Sequence, residues 1–530
     1  MKKFTKLSKA ALLVAVSFGI NKVIAILRQL IIARQFGLSS DLDVFNVANN
    51  VPDMLYSLIS GGALAVAIIP VLTEVMTREN RDAAWKVFSQ IANFAFLVTA
   101  ALSLLVAVFA EPLIEHPLGI APGFSPDQQA LSVELMRLNL FATLIFSMAG
   151  LLIAGLQANQ HFLLPAIGPI LYNVGQIFGA IVLAPETGYS IGPVTLPAYG
   201  LGVHGLVYGV LIGSALYFLI QIPGLVIYKF KWAPKMNLRD ADVKKILAML
   251  GPRVASMFLY QLTFIARDNL ASRLPLGSIS ALTYGWMILQ VPETLIGTAI
   301  GTALLPTISE MISKNQRAEF AETINRVIRV FIALAIPSAM LLSFALPPLL
   351  DFAFGFDPAG TSLLLWVTRA FLVGLLSHCL LELGARIFFA QQNATVPFLA
   401  AAINLITYIA FGLLLLRPLE AVGVALADAA AFTAQSAFLL GIFSFRAVKA
   451  RKQAEEKIEA APAPSSSSKI SSTTLRTLIG SVAGSLVIWL ILHLLDGVVP
   501  GVILGTAAAA AGLAVALPFI YKEIQILVRL

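Results

Sequence analysis

The chain is built from long apolar runs that recur with little charge inside them. An α-helix needs ~20 apolar residues to cross the hydrocarbon core of a bilayer, and these runs are that long. Of 530 residues, 58% are hydrophobic and only 12% charged. Mean hydropathy is +0.87. A soluble chain carries about 25% charged residues. These properties define an all-α polytopic membrane protein. A transmembrane β-barrel would show short alternating segments in place of long apolar ones.

Hydropathy predicts 14 transmembrane helices at roughly 8–35, 43–73, 85–110, 133–157, 164–184, 199–228, 246–272, 278–309, 324–348, 361–388, 396–416, 420–445, 474–495 and 500–521. An even count places both termini on one side. Alternate connecting segments are basic, with Lys2, Lys3, Lys6 and Lys9, then Arg78, Arg81 and Lys86, then Lys229, Lys231, Lys235, Arg239, Lys244 and Lys245. The series continues with Lys314, Arg317, Arg326 and Arg329, then Arg446, Lys449, Arg451, Lys452 and Lys457, and finally Lys522. The opposite segments, 111–129, 184–200, 347–360, 417–420 and 496–501, contain one basic residue, Arg417. Positive charge marks the cytoplasmic side, so both termini are expected in the cytoplasm. Membrane topology thereby accounts for the net charge of +8, and no nucleic-acid partner is expected. The first apolar run continues through Asn21 into Ile32 with no small-residue cleavage site, so it reads as an uncleaved first span. The single cysteine, Cys379, lies in an apolar run and allows no internal disulfide.

Five regions follow: an N-terminal lobe at 1–228 (spans one to six), an inter-lobe cytoplasmic loop at 229–245, a C-terminal lobe at 246–445 (spans seven to twelve), a polar linker at 446–473 and a terminal pair of spans at 474–530. The Ala/Pro- and Ser-rich linker is expected to be mobile. The two six-helix lobes are related by an internal repeat. IIPVLTEV after position 67 answers LLPTISEM, pairing Pro70 with Pro306 and Glu74 with Glu310. Upstream, VPDML at 51–55 answers VPETL at 291–295, and LQANQHFLLP at 156–165 answers FFAQQNATVP at 388–397. Parallel repeats of this kind imply a transporter whose site lies at the lobe interface and which works by alternating access.

Enzyme signatures are missing: there is no P-loop, HExxH, GxSxG or dinucleotide fingerprint. The chain reads as a transporter with no cofactor or metal. Without a nucleotide site, transport draws on an ion, voltage or substrate gradient.

Charges inside apolar runs carry the functional reading, because each costs several kcal/mol at membrane depth unless it faces protein or water. Lys22 and Arg28 lie in the first span and Asp43 opens the second. Asn21, Arg28 and Gln35 are seven apart, which places them near one helical face. Arg253, Tyr260 and Arg267 repeat that spacing in the seventh span, beside Asp268, and the tenth carries Arg369, His378, Glu382 and Arg386. Two basic stripes on repeat-related spans suit a polyanion such as a pyrophosphate, for which Arg offers bidentate donors and Lys a point charge. The predicted substrate-binding set is Lys22, Arg28, Asp43, Arg253 and Arg267, with Asp268, Glu382 and Arg369 in ion or gating roles. Each has a structural alternative. Arg34, Arg253 and Arg386 lie near span ends, where side chains snorkel to the interface. Arg267–Asp268 and Arg369–Glu382 can brace helix packing as ion pairs.

Several of these segments resemble the MurJ (MviN) family, the lipid II flippases of the multidrug/oligosaccharidyl-lipid/polysaccharide exporter superfamily. The matching text is ILRQLIIARQFGLSSDLDVFNVANNVPDML, GGALAVAIIPVLTEV, LQANQHFLLPAIGPILYN and IGTAIGTALLPTISEM, extending to ARIFFAQQNATVP. The resemblance implies two lobes around a cationic cavity, a lateral gate between spans one and eight, and a groove along spans thirteen and fourteen for a polyprenyl tail. The family's first-span basic pair falls on Lys22 and Arg28, and its second-span acid on Asp43. Two positions depart. The family's second-span arginine falls on Tyr56, and its eighth-span acid–arginine pair on Trp286–Met287. Arg253 and Arg267 are the expected replacements for that lost charge. The implied function is translocation of a polyprenyl-pyrophosphate-linked saccharide, lipid II, across the bacterial plasma (inner) membrane. Its partners are that lipid, the bilayer and a coupling cation or anion. The alternatives are a flippase for another polyprenyl-pyrophosphate-linked oligosaccharide, a cation-coupled multidrug exporter, which would carry a buried acid without surrounding cations, and a scaffold for cell-wall enzymes.

The topology is testable by cysteine labelling in a Cys379→Ala background. A membrane-impermeant maleimide is expected to label Thr187→Cys in intact cells and Asn237→Cys only after permeabilisation. The reverse pattern inverts the assignment.

Overall fold

The computed structural model describes residues 6–59, 63–314, 316–455, 466–495, 497 and 499–529. It divides into two compact units, Met1–Gly277 and Ser278–Leu530.

In the first unit α1 (Lys6–Phe36) and α2 (Ser40–Ile59) precede α3 (Ala63–Arg78), α4 (Arg81–Val108) and the short α5 (Ala110–Glu115). The long α6 (Pro126–Ala158) and α7 (Leu163–Phe178) follow, and α7 runs into a π-helical turn at Gly179–Leu183. A two-strand hairpin, β1 (Ser190–Ile191) with β2 (Val194–Thr195), precedes α8 (Gly202–Leu219), α9 (Ile222–Ile227) and α10 (Ala241–Ala271). The helix starts follow from local sequence. Ser125 and Gln128 close a capping box with Pro126 in the first turn of α6, and Asp240 caps α10. Helix α6 is the hub, packing against α2, α3, α4 and α8, while α10 lies against α2, α3 and α4.

A glycine seam joins α7 to α8. Gly175 and Gly179 on one side meet Gly205, Gly209 and Gly213 on the other, and the four-residue spacing aligns each set on one face. A Cβ on Gly175 would lie 2.4 Å from the Gly213 Cα, and one on Gly213 would lie 2.6 Å from the Tyr172 carbonyl oxygen. Lipid offers no hydrophobic drive to helix association, so close backbone packing through small residues supplies it. The seam fixes Tyr172 and Tyr217 on adjacent helices.

The second unit contains α11 (Ser278–Glu293), a π-helical turn at Thr294–Thr298, α12 (Ala299–Ser313) and α13 (Arg317–Phe354). It continues with α14 (Pro358–Val373), α15 (Leu375–Ala390), α16 (Thr395–Glu455), α17 (Ser466–Leu494) and α18 (Gly501–Arg529). Helix α16 is broken at Glu420 (φ 49°, ψ −130°), where the sequence predicts a turn. The expected single span at 361–388 is instead a pair, α14 and α15, bent by 41°. Helix extends to Glu455 and resumes at Ser466 within the expected linker, and residues 456–465 lie outside the described residues. Helices α17 and α18 pack on each other and on α13. A fully buried carboxylate, Glu523, pins them there, accepting from Arg329 Nη2 at 2.8 Å, from Thr473 Oγ1 at 3.0 Å and from Arg476.

Among the described residues, ten helices are long and apolar enough to cross a membrane, or eleven when the bent pair is one span. The sequence predicts fourteen. The broken α16 covers two expected spans and is counted once. The expected spans on α2–α3 and on α10 do not qualify, and both carry polar and charged residues.

The internal repeat is visible in backbone geometry. Helices α6 and α15 end at Ala158 and Ala390, and Gln160 (φ 59°) and Gln392 (φ 56°) follow in left-handed conformation. His161 N–H reaches the Leu156 carbonyl at 3.0 Å, and Asn393 N–H reaches that of Phe388 at 2.9 Å. These helix ends belong to the two copies matched by sequence at 156–165 and 388–397. A left-handed non-glycine residue costs roughly 1–2 kcal/mol, offset here by the bonds that satisfy the helix's last carbonyls.

Gly209→Val is expected to force α7 and α8 apart at a cost of about 1–3 kcal/mol, read as a lower thermal-unfolding midpoint in detergent. Gly19→Val, where a side chain would meet open space, leaves the midpoint unchanged.

Candidate substrate site

Arg28 sits well inside α1 and is half-buried. The sequence shows no acid near it, but the fold supplies one, because α2 brings Asp53 within electrostatic reach. Tyr172 of α7 is within reach of both charges. Two turns towards the start of α1 on its polar face, the Asn21 Oδ1 accepts from Asn173 Nδ2 at 2.9 Å. The face predicted from seven-residue spacing therefore looks at α7, as two consecutive residues of that helix show. Lys22 is exposed and lies on a different face, since six residues turn a helix by about 600°.

Asp53 is the residue that sequence reasoning missed. The signal was present as an acid inside an expected span, in VPDML. Its side chain is exposed, with the Arg28 guanidinium within electrostatic reach. Aromatic rings continue from it. Tyr56, one turn along α2 from Asp53, is hydrogen-bonded to Tyr217 of α8. Phe146 of α6 packs on Tyr56, Tyr172 and Tyr217 with ring centroids 5.1, 4.8 and 5.5 Å away. Gln176 donates to the Tyr172 hydroxyl one turn along α7. Thus Tyr56, at a position where the resemblance leads one to expect an arginine, is part of a neutral phenolic cluster.

Asp43, Arg267 and Asp268 have further partners of their own. Asp43 is 2% exposed and accepts the Gly277 N–H at 2.7 Å, bracing the turn after α10. Gly277 has φ +85°, and a Cβ there would lie 2.7 Å from Leu38, so only glycine suits the turn. The Arg253 side chain lies outside the described residues. Arg267 Nε donates to Asp268 Oδ1 at 2.8 Å, and its guanidinium lies 5.3 Å from the Phe264 ring centroid. Asp268, 1% exposed, also accepts from Asn50 Nδ2 at 2.6 Å and so ties α10 to α2. Asn49 extends this polar row to α6, accepting from Asn139 at 2.7 Å.

In the second unit Glu382 pairs with Arg386 at 2.9 Å, one turn along α15, and not with Arg369. Arg369 Nε donates to the Ser343 carbonyl at 2.9 Å, and its guanidinium stacks over Trp366 at 4.8 Å. Glu293, at the end of α11, accepts from Thr298 Oγ1 at 3.0 Å within the π-helical turn and faces Glu382 and His378 electrostatically. His378 reaches Asp428 at 3.0 Å and stacks on Phe432 at 3.7 Å. Trp286 packs against His378, Phe371 and Phe432. Glu293 and Asp53 occupy the same place in the repeat, directly after Val-Pro, so each unit presents one carboxylate from duplicated sequence. Among the described residues, no group of three or more His, Cys, Asp or Glu could hold a metal ion.

A predominantly helical chain of this span content, with charged side chains paired inside apolar helices, has the architecture of a polytopic membrane transporter. A solved multidrug resistance MATE family transporter of the MOP superfamily in an inward-facing conformation shares that fold, with a TM-score of 0.65 at 13% identity over 84% of this chain and 100% of that one. A solved lipid II flippase MurJ in an inward closed conformation gives a TM-score of 0.75 at 22% identity over 98% of this chain and 100% of that one. The family described as lipid II flippase MurJ matches residues 32–504. The lipid II flippase MurJ of Burkholderia cenocepacia is 30% identical over 388 residues, 71% of this chain and 72% of that protein. The probable lipid II flippase MurJ of Haemophilus influenzae is 27% identical over 441 residues, 79% of this chain and 83% of that protein. The chain belongs to the lipid II flippase MurJ family: it is a transporter rather than an enzyme, and a multi-pass protein of the bacterial inner membrane.

The Arg267–Asp268–Asn50 group generates a stability test. Asp268→Ala removes the carboxylate beside a largely buried guanidinium and is expected to cost about 3–5 kcal/mol, whereas the double variant Arg267→Met/Asp268→Asn keeps a partner for Asn50 and retains most of the stability. Thermal unfolding of the two variants in detergent measures the difference.

Proposed function

We propose that this chain moves lipid II from the inner to the outer leaflet of the bacterial plasma membrane by alternating access. The observation that carries the reading is Arg28, a cation inside an apolar helix that faces the exposed Asp53 carboxylate, in a member of the MurJ family. Its guanidinium presents a planar fork of donors matched to the geometry of a pyrophosphate. Lys22, exposed on the same helix, adds a second positive charge for the headgroup on entry. Arg267 and Arg253 are the candidates to replace the cations missing at Tyr56 and Met287.

Both termini lie in the cytoplasm in this proposal, as the loop charges favour, and two six-helix lobes at 1–228 and 246–445 rock about the site. Return of the empty carrier draws on the membrane potential, worth about 2.3 kcal/mol per charge per 100 mV. Glu382, which faces a second carboxylate, Glu293, as well as its Arg386 partner, and Asp268, which meets Arg267 and Asn50, are the candidates for binding a coupling ion. A second reading, another polyprenyl-pyrophosphate-linked oligosaccharide, is favoured by one observation: aromatic residues stand where the resemblance predicts charge, at Tyr56 and Trp286.

Expression in a cell depleted of its own MurJ tests the reading. The wild-type chain is expected to restore growth, and Arg28→Ala at equal expression is expected to fail. A well-expressed wild type that does not rescue moves the assignment to another lipid-linked saccharide. Drug efflux with cell-wall precursors unaffected would assign the multidrug class. Full activity of Arg267→Ala would sink the replacement role.

A further inference from the structure

Beside Arg28 the structure offers more than a phosphate site needs. Asp53 sets an exposed carboxylate against the Arg28 guanidinium and would repel a pyrophosphate brought directly to it, since a like charge nearby disfavours ionisation of both groups. The remaining polar groups are phenols. Tyr56 and Tyr217 hydrogen-bond to each other, which leaves one of the two O–H protons to donate onward. The Tyr172 oxygen accepts from Gln176 and keeps its own proton to give. Phe146 holds all three rings in place.

This combination matches a sugar ring. A pyranose presents hydroxyl donors, which a carboxylate accepts in charge-assisted bonds, and hydroxyl acceptors, which phenol and guanidinium donors fill. Its C–H face is apolar and packs on an aromatic ring, which offers an apolar body with a polar tip. We propose that Asp53, Tyr56 and Tyr172 form a glycan subsite that receives the first sugars of the lipid-linked saccharide while Arg28 spans the junction to the pyrophosphate. Phe146 and Tyr217 position those groups. The subsite rests on the flippase reading, and it adds that headgroup selection lies in the sugar and not in the charge. A neutral aromatic at position 56, where the resemblance predicts an arginine, is then the means of that selection.

The test uses the purified full-length protein and two ligands: lipid II, and the same polyprenyl pyrophosphate without sugar. The wild type is expected to bind lipid II more tightly than the sugar-free lipid. Asp53→Asn and Tyr56→Phe each weaken lipid II binding about tenfold, the size of a lost charge-assisted hydrogen bond, and do not weaken binding of the sugar-free lipid. Arg28→Ala weakens both. Tyr56→Phe keeps its ring against Phe146, so it reports on the hydroxyl and not on folding. Equal losses for both ligands in the Asp53 and Tyr56 variants, or no loss for lipid II, overturn the subsite. A wild type that rescues depleted cells yet binds both ligands alike overturns the subsite and leaves the flippase reading standing. A wild type that binds neither ligand overturns both.

Discussion

An ionisable side chain at membrane depth has to be compensated by protein, and much of this structure is the set of answers to that requirement. Arg28 meets Asp53 across α1 and α2. Arg267 meets Asp268, which Asn50 also binds. Arg386 meets Glu382 along a single helix, and Arg329 and Arg476 converge on the buried Glu523. These contacts do different work. The Glu523 group joins three helices and docks the terminal pair. The Asp268 group ties α10 to α2 and is largely buried. The Arg28–Asp53 pair differs from the buried groups in that the Asp53 side chain is exposed.

Duplication explains where some of these groups come from. Asp53 and Glu293 both follow Val-Pro in the two copies, and the same left-handed helix ending recurs at Gln160 and Gln392. A proline inside a helix removes a backbone hydrogen bond, so a carboxylate beside it sits where the helix is already interrupted. The copies have diverged in what surrounds that carboxylate. In the first unit it faces an arginine and phenols. In the second it faces a glutamate, a histidine and a π-helical turn, a form found frequently at functional sites.

The charged positions expected from family resemblance have become aromatic in both units, at Tyr56 and at Trp286. Each aromatic is embedded in a ring cluster, one around Phe146 and one around His378 and Phe432. Substitution therefore did not leave holes. Removing a buried cation also removes the need for its partner.

The sequence by itself determined the class. Long apolar runs admit helices across a bilayer and little else, and loop charge predicts orientation. The turn near Glu420, the helix ends at Asn159 and Gln391, and the polar face of α1 were legible because caps, prolines and seven-residue spacing act locally. Which charges face each other was not legible. Lys22 and Arg28 look alike in sequence, yet six residues of helix turn them to different faces. Arg28 lies 25 positions from Asp53, and only the packing of α2 beside α1 brings them together. Arg369 has a backbone carbonyl and a tryptophan for partners, where spacing along the chain suggested Glu382. Local periodicity tells which face of a helix is polar. Tertiary packing alone decides what that face meets, because the partners come from other helices.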